Sequence, residues 1–140
     1  MIRWLAYAPL AAVLAACAAP QSEAPQAAAP KKVEPVFDYV AIPQADGSLR
    51  VQGPAKHEDD LAAHHCIAAR VATKEGAATI EWVGGVARPA PEGFEADMAY
   101  EFGADPSAAR WDEPEKGGAV LTANWLPYCD EAGIPREDKA

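Results

Sequence analysis

The chain has 140 residues, half of them hydrophobic, and carries 21 acidic against 12 basic side chains, a formal net charge of −9 at pH 7. A chain this acidic lacks the positive surface that nucleic acids and anionic lipid headgroups attract, which excludes both as electrostatic partners. The apolar content is high enough to build a core, and the length limits that core to one small domain.

The first sixteen residues are predicted to be an export signal. Arg3 supplies a positive charge, and an apolar run rich in Ala and Leu extends from Trp4 to Ala16. This run is shorter than the ~20 residues that a membrane-spanning helix needs, and Pro9 weakens it further. Residues 1–16 are therefore interpreted as a signal peptide.

A cysteine motif closes this apolar run. Leu14-Ala15-Ala16-Cys17 resembles the lipobox of bacterial lipoproteins. The resemblance implies cleavage before Cys17, a diacylglyceryl thioether on its sulfur and acylation of the new amino terminus. Three acyl chains exceed the two signals that stable anchoring requires. The alternative is an ordinary secretory signal, cut after a nearby Ala, in which Cys17 is incidental.

The residue after the cysteine bears on the membrane that such an anchor reaches. In the family that Cys17 resembles, an Asp at the next position usually retains the protein at the inner membrane. This chain has Ala18 there. The resemblance therefore implies a cell-envelope protein, with the outer membrane favoured and the domain facing the periplasm.

Residues 17–35 are predicted to link the lipidated cysteine to the domain. Four prolines are spaced among Ala, Gln and Ser, and the stretch has no aromatic residue. Proline favours extended polyproline conformations, so this linker is expected to hold the domain away from the bilayer.

Residues 36–130 are predicted to form a small α+β domain. Asp46-Gly47, between two apolar runs, predicts a hairpin, and Gly84-Gly85 predicts the end of a strand. Alternation and β-forming residues predict strands at Phe37–Ile42, Ser48–Gly53, Thr79–Val83, Phe94–Phe102 and Ala119–Leu126.

The strand at Phe94–Phe102 has the clearest pattern. One face carries apolar side chains, which are Phe94, Ala96, Met98, Tyr100 and Phe102. The other face carries Glu95, Asp97 and Glu101, interpreted as a solvated face and not as paired catalytic carboxylates. One buried and one wet face is typical of an antiparallel sheet that is covered on one side.

One helix is predicted over residues 58–75, which contain no Pro or Gly. Its apolar arc consists mostly of alanine and includes His65 and Cys66, with Ile67 lying off this arc. The complete pattern predicts an α+β fold with about five antiparallel strands in the order β-β-α-β-β-β, packed on one side by a single helix. Residues 131–140 are predicted to be a polar tail.

Two cysteines remain if lipid occupies Cys17. In an oxidising compartment an isolated pair such as Cys66 and Cys129 is usually bridged, and the sequence predicts that disulfide. The alternatives are two buried free thiols or a reactive one.

The histidines are the candidates for metal or ligand binding. His57 and His64 are seven residues apart, or roughly 10 Å along a helix, which is too far for one metal. His64 and His65 point about 100° apart on a helix, and a zinc or copper site would have to recruit acidic groups such as Asp60. The favoured interpretation is a packed His65, with His57 and His64 solvated; no metal or cofactor is predicted.

Residues 103–118 form the longest loop between the predicted elements. Asp105-Pro106 predicts a capped helical turn, and the loop carries Trp111 beside Asp112-Glu113-Pro114. Tryptophan is enriched at contact surfaces, so Trp111 is a weak candidate for contact with a ligand or partner. The alternative is a ring folded back over the small core.

These observations favour a lipid-anchored envelope protein that is not an enzyme and binds a protein or cell-wall partner, as an accessory to a larger assembly. The alternative function is a periplasmic module that binds a metal or small ligand through the His64/His65 region. An enzyme is the third hypothesis, although no nucleophile elbow is visible. The membrane is expected as a partner through lipid on Cys17, and nucleic acid is not.

Overall fold

A computed structural model describes residues 34–36 and 38–135, so the signal segment, Cys17 and most of the linker lie outside the described part of the chain. The strands are β1 (Glu34–Val36), β2 (Tyr39–Pro43), β3 (Leu49–Ala55), β4 (Thr79–Ala90), β5 (Gly93–Gly103) and β6 (Ala119–Leu121). The helices are α1 (Ala62–Lys74) and α2 (Tyr128–Glu131), and two 3₁₀ turns cover Pro106–Ala108 and Thr122–Trp125.

The strands described form one antiparallel sheet in the order β1-β2-β3-β5-β4-β6. The predicted α+β fold, with an antiparallel sheet packed against a helix, is confirmed. Strand β1 and helix α2 are additions to the predicted pattern. Because β1 begins at Glu34, the last two residues of the predicted linker already belong to the sheet.

The predicted hairpin joins β2 and β3. The Gln44 N–H donates to the Ser48 carbonyl at 2.8 Å, and the Gly47 N–H donates to the Gln44 carbonyl at 3.1 Å. Gly47 has φ +88°, a conformation that residues with a Cβ rarely adopt. The Asp-Gly signal is confirmed.

Strand β5 has the alternation that its sequence predicts. Ala96, Met98 and Tyr100 are buried against α1, while Glu95 and Glu101 on the other face are exposed. The predicted core positions at the ends of the strand, Phe94 and Phe102, are half-buried and pack against this core.

Asp97 departs from the solvated row that was predicted for it. The Arg50 Nε donates to Asp97 Oδ1 at 2.9 Å, and the second guanidinium nitrogen binds Oδ2. Gln52 Nε2 donates to the same oxygen, Oδ2, at 2.9 Å. Because β3 pairs with β5 in this register, the Asp97 carboxylate becomes part of a cross-strand polar cluster on the open face of the sheet.

Helix α1 is shorter at its start than predicted. The Asp60 N–H donates to the His57 carbonyl and the Leu61 N–H to the Asp59 carbonyl, so the acidic residues lie in a turn. The first α-helical bond runs from the His65 N–H to the Leu61 carbonyl at 2.9 Å. The helix ends at Lys74, before Gly76, as predicted.

Two layers bury α1. The sheet contacts one side, while the second 3₁₀ turn and α2 contact another. Ile67, which was predicted to lie off the packing face, is therefore buried. The small alanine side chains let the neighbouring elements approach closely, and the buried residues are His64, His65, Cys66, Ile67, Ala68, Ala69 and Ala72.

The prediction that Gly84-Gly85 ends a strand is wrong. Strand β4 continues to Ala90, with a register shift between Trp82 and Gly84. A Cβ at Gly85 would lie 2.5 Å from the Asp97 carbonyl oxygen, so this position requires a glycine. The glycine pair therefore lies at a β-bulge within the strand, where the backbone of β5 approaches closely.

The C-terminal end also differs from the prediction. Strand β6 stops at Leu121 because the Thr122 N–H and Oγ1 donate to the carbonyls of Ala78 and Ala77, which turns the chain away from the ladder. This turn buries Trp125 completely. Ile134 is also buried, so the domain extends beyond residue 130 into the predicted tail. No helix among the described residues is long and apolar enough to cross a membrane.

Candidate functional site

A groove of about 550 Å³ lies between the start of α1, helix α2 and the sheet face that α1 covers. The thirteen residues of α1 span about 20 Å, whereas the twelve of β4 span about 40 Å, so the β4–β5 hairpin runs past the helix. We call this cleft the aromatic groove, and its lining includes Leu61, Ala62, His65, Trp82, Gly85, Ala87, Met98, Lys116 and Tyr128.

Four aromatic rings surround the His65 imidazole in this groove. The ring centroids of Trp82 and Trp125 lie 5.2 and 5.0 Å from that of His65, and those of Tyr100 and Tyr128 both lie 5.8 Å away. All four rings stand edge-on to the imidazole, the arrangement that aromatic quadrupoles favour. This packing fixes the His65 ring, and only 7% of the residue is exposed.

Hydrogen bonding determines which nitrogen of His65 carries the proton. His65 Nδ1 lies 2.9 Å from the hydroxyl oxygen of Tyr100, which is fully buried. Burial raises the pKa of Tyr100 well above its ordinary value, so the phenol keeps its proton. If Tyr100 did not donate to His65 Nδ1, its O–H would stay unpaired in the core, at a cost of about 1–3 kcal/mol. We therefore assign the imidazole proton to Nε2.

The Nε2–H of His65 is left available at the groove. His65 lines the groove, its Nδ1 faces the buried hydroxyl of Tyr100, and Nε2 is the ring nitrogen that remains for a ligand. Within the described part of the chain, the fully buried side-chain polar atoms without a partner are His64 Nδ1 and Trp125 Nε1, and His65 Nε2 is not one of them. His65 therefore presents a hydrogen-bond donor to whatever occupies the groove.

The same burial makes the folded state sensitive to acid. Desolvation, with a smaller contribution from His64, lowers the pKa of His65 to about 4, and burial also lowers the pKa of His64. The unfolded state, with an ordinary histidine pKa of about 6.5, then takes up protons first as the pH falls. The stability that neutral His65 provides is complete above that pKa and is lost as the pH falls towards the folded value.

We predict that the free energy of unfolding falls by about 2 kcal/mol for His65 alone between pH 7 and pH 5. Urea titrations at several pH values measure this slope. A His65→Phe variant, which lacks the buried imidazole, should show a shallower slope than the wild type. Equal slopes in the wild type and His65→Phe would contradict the assignment.

Acidic residues dominate the rim of the aromatic groove. Glu58, Asp59 and Asp60 come from the turn before α1, and Glu131 comes from α2. Lys116 is the basic residue of the lining. The field at the groove is therefore negative.

A second groove of about 550 Å³ continues this acidic surface. Asp112, Glu113 and Glu131 contribute carboxylates to it, and Tyr128 and Glu131 line both grooves. The pKa of Tyr128 is raised by burial and then by the negative charges of Glu113 and Glu131. The Tyr128 side chain therefore lies between the two acidic grooves.

The other two histidines lie elsewhere. His57 is exposed as predicted, but the prediction of a solvated His64 is wrong. His64 is fully buried, with Nε2 3.3 Å from the Ala96 carbonyl and its ring 5.1 Å from that of Tyr39. Within residues 34–36 and 38–135, no three His, Cys, Asp or Glu side chains are grouped so that they could hold a metal ion.

Trp111 is held by its backbone and by Gly118. The Trp111 N–H donates to the Ala119 carbonyl, and a Cβ at Gly118 would lie 1.9 Å from the indole ring. The ring therefore lies directly over this glycine, with 49% of the residue exposed. It does not line the aromatic groove, although its neighbours Asp112 and Glu113 line the second groove.

The sequence patterns at the groove residues indicate strands and a helix, and no pattern among them indicates a shared site. Trp82 falls within a predicted strand, Asp59 lies at the start of the predicted helix, and Tyr128 follows the last predicted strand. The signal that the sequence carries is an imidazole or aromatic side chain with carboxylates nearby, as at His65 after Glu58-Asp59-Asp60 and at Tyr128 before Glu131.

Cys66 and Cys129 face each other between α1 and α2. Their sulfurs are joined, with 4.7 Å between the Cα atoms, and both side chains are buried. The position of Cys129 fixes α2, which supplies Tyr128 and Glu131 to the groove. Cys17 lies outside the described residues.

Comparison of the chain with protein-family models, curated proteins and solved structures finds no match.

Proposed function

We propose that this protein is a lipid-anchored component of the cell envelope, without enzymatic activity, that binds a protein or cell-wall partner as an accessory module. It faces the periplasm, and the outer membrane is its favoured location. The anchor is the lipid on Cys17, and the binding unit is the domain that follows the proline-containing linker.

The anchoring half of the proposal is supported by the sequence. The lipobox Leu14-Ala15-Ala16-Cys17 follows a short apolar run, and a linker separates it from the sheet, which begins at Glu34. The joined Cys66 and Cys129 suit an oxidising compartment such as the periplasm.

The observation that carries the binding half is the aromatic groove. It combines apolar and aromatic lining with a rigidly held donor, His65 Nε2, and charged side chains at its rim. Concave apolar surfaces with a few convergent polar groups are the common form of binding sites. A neutral imidazole that is locked by Tyr100 and packed among rings is suited to orienting a bound group.

The position of His65 in the groove also supports a second candidate function, in which the domain is a periplasmic module that binds a small ligand. This version shares the groove but needs no macromolecular partner. Crosslinking at the groove distinguishes the two, because a small ligand leaves no crosslinked macromolecule.

The test places a photo-crosslinking amino acid, benzoylphenylalanine, at Tyr128 of the full chain, exported through its own signal in a bacterial host. We expect irradiation to produce a discrete crosslinked species in the membrane fraction, which mass spectrometry identifies as an envelope protein or a cell-wall fragment. Mass spectrometry of the purified protein should also find an acylated Cys17 at the mature amino terminus.

Two controls make this result specific. The same amino acid at Glu101, which is exposed on the opposite face of the sheet, should give no such species. Cys17→Ser should remove the protein from the membrane fraction and deplete the crosslink. Identical crosslinks from both faces would contradict the binding site, and a mature terminus other than an acylated Cys17 would contradict the anchor.

A further inference from the structure

We propose that the aromatic groove binds an extended, basic segment of a protein partner, in which a main-chain carbonyl accepts the hydrogen bond from His65 Nε2 and Lys or Arg side chains lie beside the rim carboxylates. This inference rests on the proposed function, because the partner is an envelope protein. It adds the chemistry of the segment that binds.

The buried histidine requires an acceptor in the ligand. Tyr100 occupies His65 Nδ1, and the surrounding rings of Trp82, Trp125 and Tyr128 hold the imidazole in place. The Nε2–H is fixed in direction before any ligand arrives, so a carbonyl placed there forms a bond without ordering a side chain. Each residue of a peptide carries such a carbonyl.

The charge of the two grooves requires a cationic ligand. Together they are lined by one lysine and six carboxylates, which are those of Glu58, Asp59, Asp60, Asp112, Glu113 and Glu131. The carboxylates lie along two continuous clefts rather than at one point. A segment with several separated positive charges therefore matches this surface better than a single cation does.

The sheet edge beside the groove favours an extended peptide. Gly85 and Ala87 line the groove and belong to the part of β4 that pairs with β5 on one side. On the other side of β4, strand β6 pairs only with Thr79–Glu81, and the backbone of Lys116 forms a single isolated β-bridge with that of Trp82. Within the described residues, β4 beyond Trp82 has no second neighbouring strand. The Gly84 carbonyl accepts from Trp82 Nε1, and the backbone that follows it is the part that can bond to an added chain.

The test uses the full lipidated chain in uncharged detergent micelles and a fluorescein-labelled decapeptide of alternating Lys and Val. A Glu–Val peptide of the same length and free spermidine are the comparison ligands. Fluorescence anisotropy should show that the Lys–Val peptide binds, that added salt weakens it, and that the Glu–Val peptide does not bind. Spermidine, which has charge but no carbonyl, should compete only at much higher concentration.

Matched variants separate the groove from general acidity. Asp59→Asn with Glu131→Gln removes two rim charges and should weaken peptide binding by about fivefold or more. Glu95→Gln with Glu101→Gln removes the same charge from the opposite face and should leave the affinity unchanged. All four side chains are exposed, so both variants are expected to fold.

A nuclear magnetic resonance measurement reports on His65 itself. In the protein with ¹⁵N-labelled histidine, the Lys–Val peptide should shift the Nε2 and Nε2–H resonances of His65 and leave those of the buried His64 in place. Spermidine should leave both rings unchanged.

Several outcomes would overturn the inference. In the anisotropy measurements, these are no binding of the Lys–Val peptide, binding of the Glu–Val peptide, or spermidine competing as well as the Lys–Val peptide. An equal loss of peptide affinity in the groove variant and the opposite-face variant would also overturn it, as would His65 resonances that the peptide does not shift. If the peptide does not bind while the benzoylphenylalanine at position 128 still crosslinks to an envelope component, the inference fails and the proposed function stands. If both fail, the proposed binding role fails with it.

Discussion

Replacing Tyr100 by alanine is expected to lower the free energy of unfolding by about 3–5 kcal/mol, the cost of truncating a large buried aromatic side chain. Tyr100 is fully buried on β5, and its ring centroid lies 5.7 Å from that of Trp125 and 5.8 Å from that of His65. Alanine leaves a cavity between these rings and removes the hydroxyl that holds His65 Nδ1. The loss is larger than that of a hydrophobic contact alone.

Urea denaturation at pH 7, followed by circular dichroism, measures this loss. Tyr100→Phe is the matched control, because it keeps the ring and removes only the hydroxyl, with an expected cost of about 1 kcal/mol. Glu101→Ala, next along the strand and exposed, should stay within about 0.5 kcal/mol. A Tyr100→Ala variant as stable as Glu101→Ala would show that this ring is not part of the core.

The burial of Tyr100 was predictable because strand alternation is a local property. A residue's face in a strand follows from its neighbours at two-residue spacing, and β5 keeps that spacing throughout. The Asp46-Gly47 turn was predictable for a similar reason, because few residues tolerate the positive φ that the turn requires. Both signals lie within about ten residues of chain.

The same local rules failed at Gly84-Gly85. Glycine pairs usually mark a turn, but here the adjacent backbone of Asp97 determines the outcome by leaving no space for a side chain at Gly85. Asp97 is distant in sequence, so no local pattern contains this information. The long β4 that results is what extends the sheet past α1 and provides the floor of the groove.

His64 shows the corresponding limit for the helix. A single packing arc predicts which residues face one neighbour, but α1 contacts the sheet and also the C-terminal turn and α2. Tyr39 and the Ala96 carbonyl enclose the His64 ring from the strands, while Ile67 is buried as well. Predicting these positions requires knowing that residues 122–134 return to the helix.

The groove was the least predictable feature, because its parts come from five separate segments. The turn before α1, strands β4 and β5, the loop at Lys116 and helix α2 each supply part of the lining. Local charge signals such as Glu58-Asp59-Asp60 are present in the sequence, but they do not show that these segments meet. Glu58, Asp59 and Asp60 predict the start of a helix, whereas in the folded protein they lie in a turn and line the groove.

Replacing Cys66 or Cys129 by serine is expected to cost about 2–5 kcal/mol of stability, the usual loss for a native bridge in a small domain. The bridge spans a sequence separation of 63 residues, for which the chain-entropy model gives about 4 kcal/mol. Serine also places a hydroxyl where both positions are buried. Non-reducing peptide mapping should find the two cysteines joined in the exported protein.

The C-terminal elements should lose their order first in these variants. Helix α2 has four residues and is too short to persist without tertiary contacts. The buried side chains that hold this end of the chain in place are Cys129 in α2 and Ile134 just after it. Because α2 carries Tyr128 and Glu131, Cys129→Ser should also weaken binding of the Lys–Val peptide, even at temperatures where the sheet stays folded. Reduction of the wild type should reproduce both effects, whereas a reducing agent should leave the stability of Cys129→Ser unchanged. Rapid alkylation of Cys66 and Cys129 in the native, unreduced protein would contradict the bridge and remove the reason for expecting either loss.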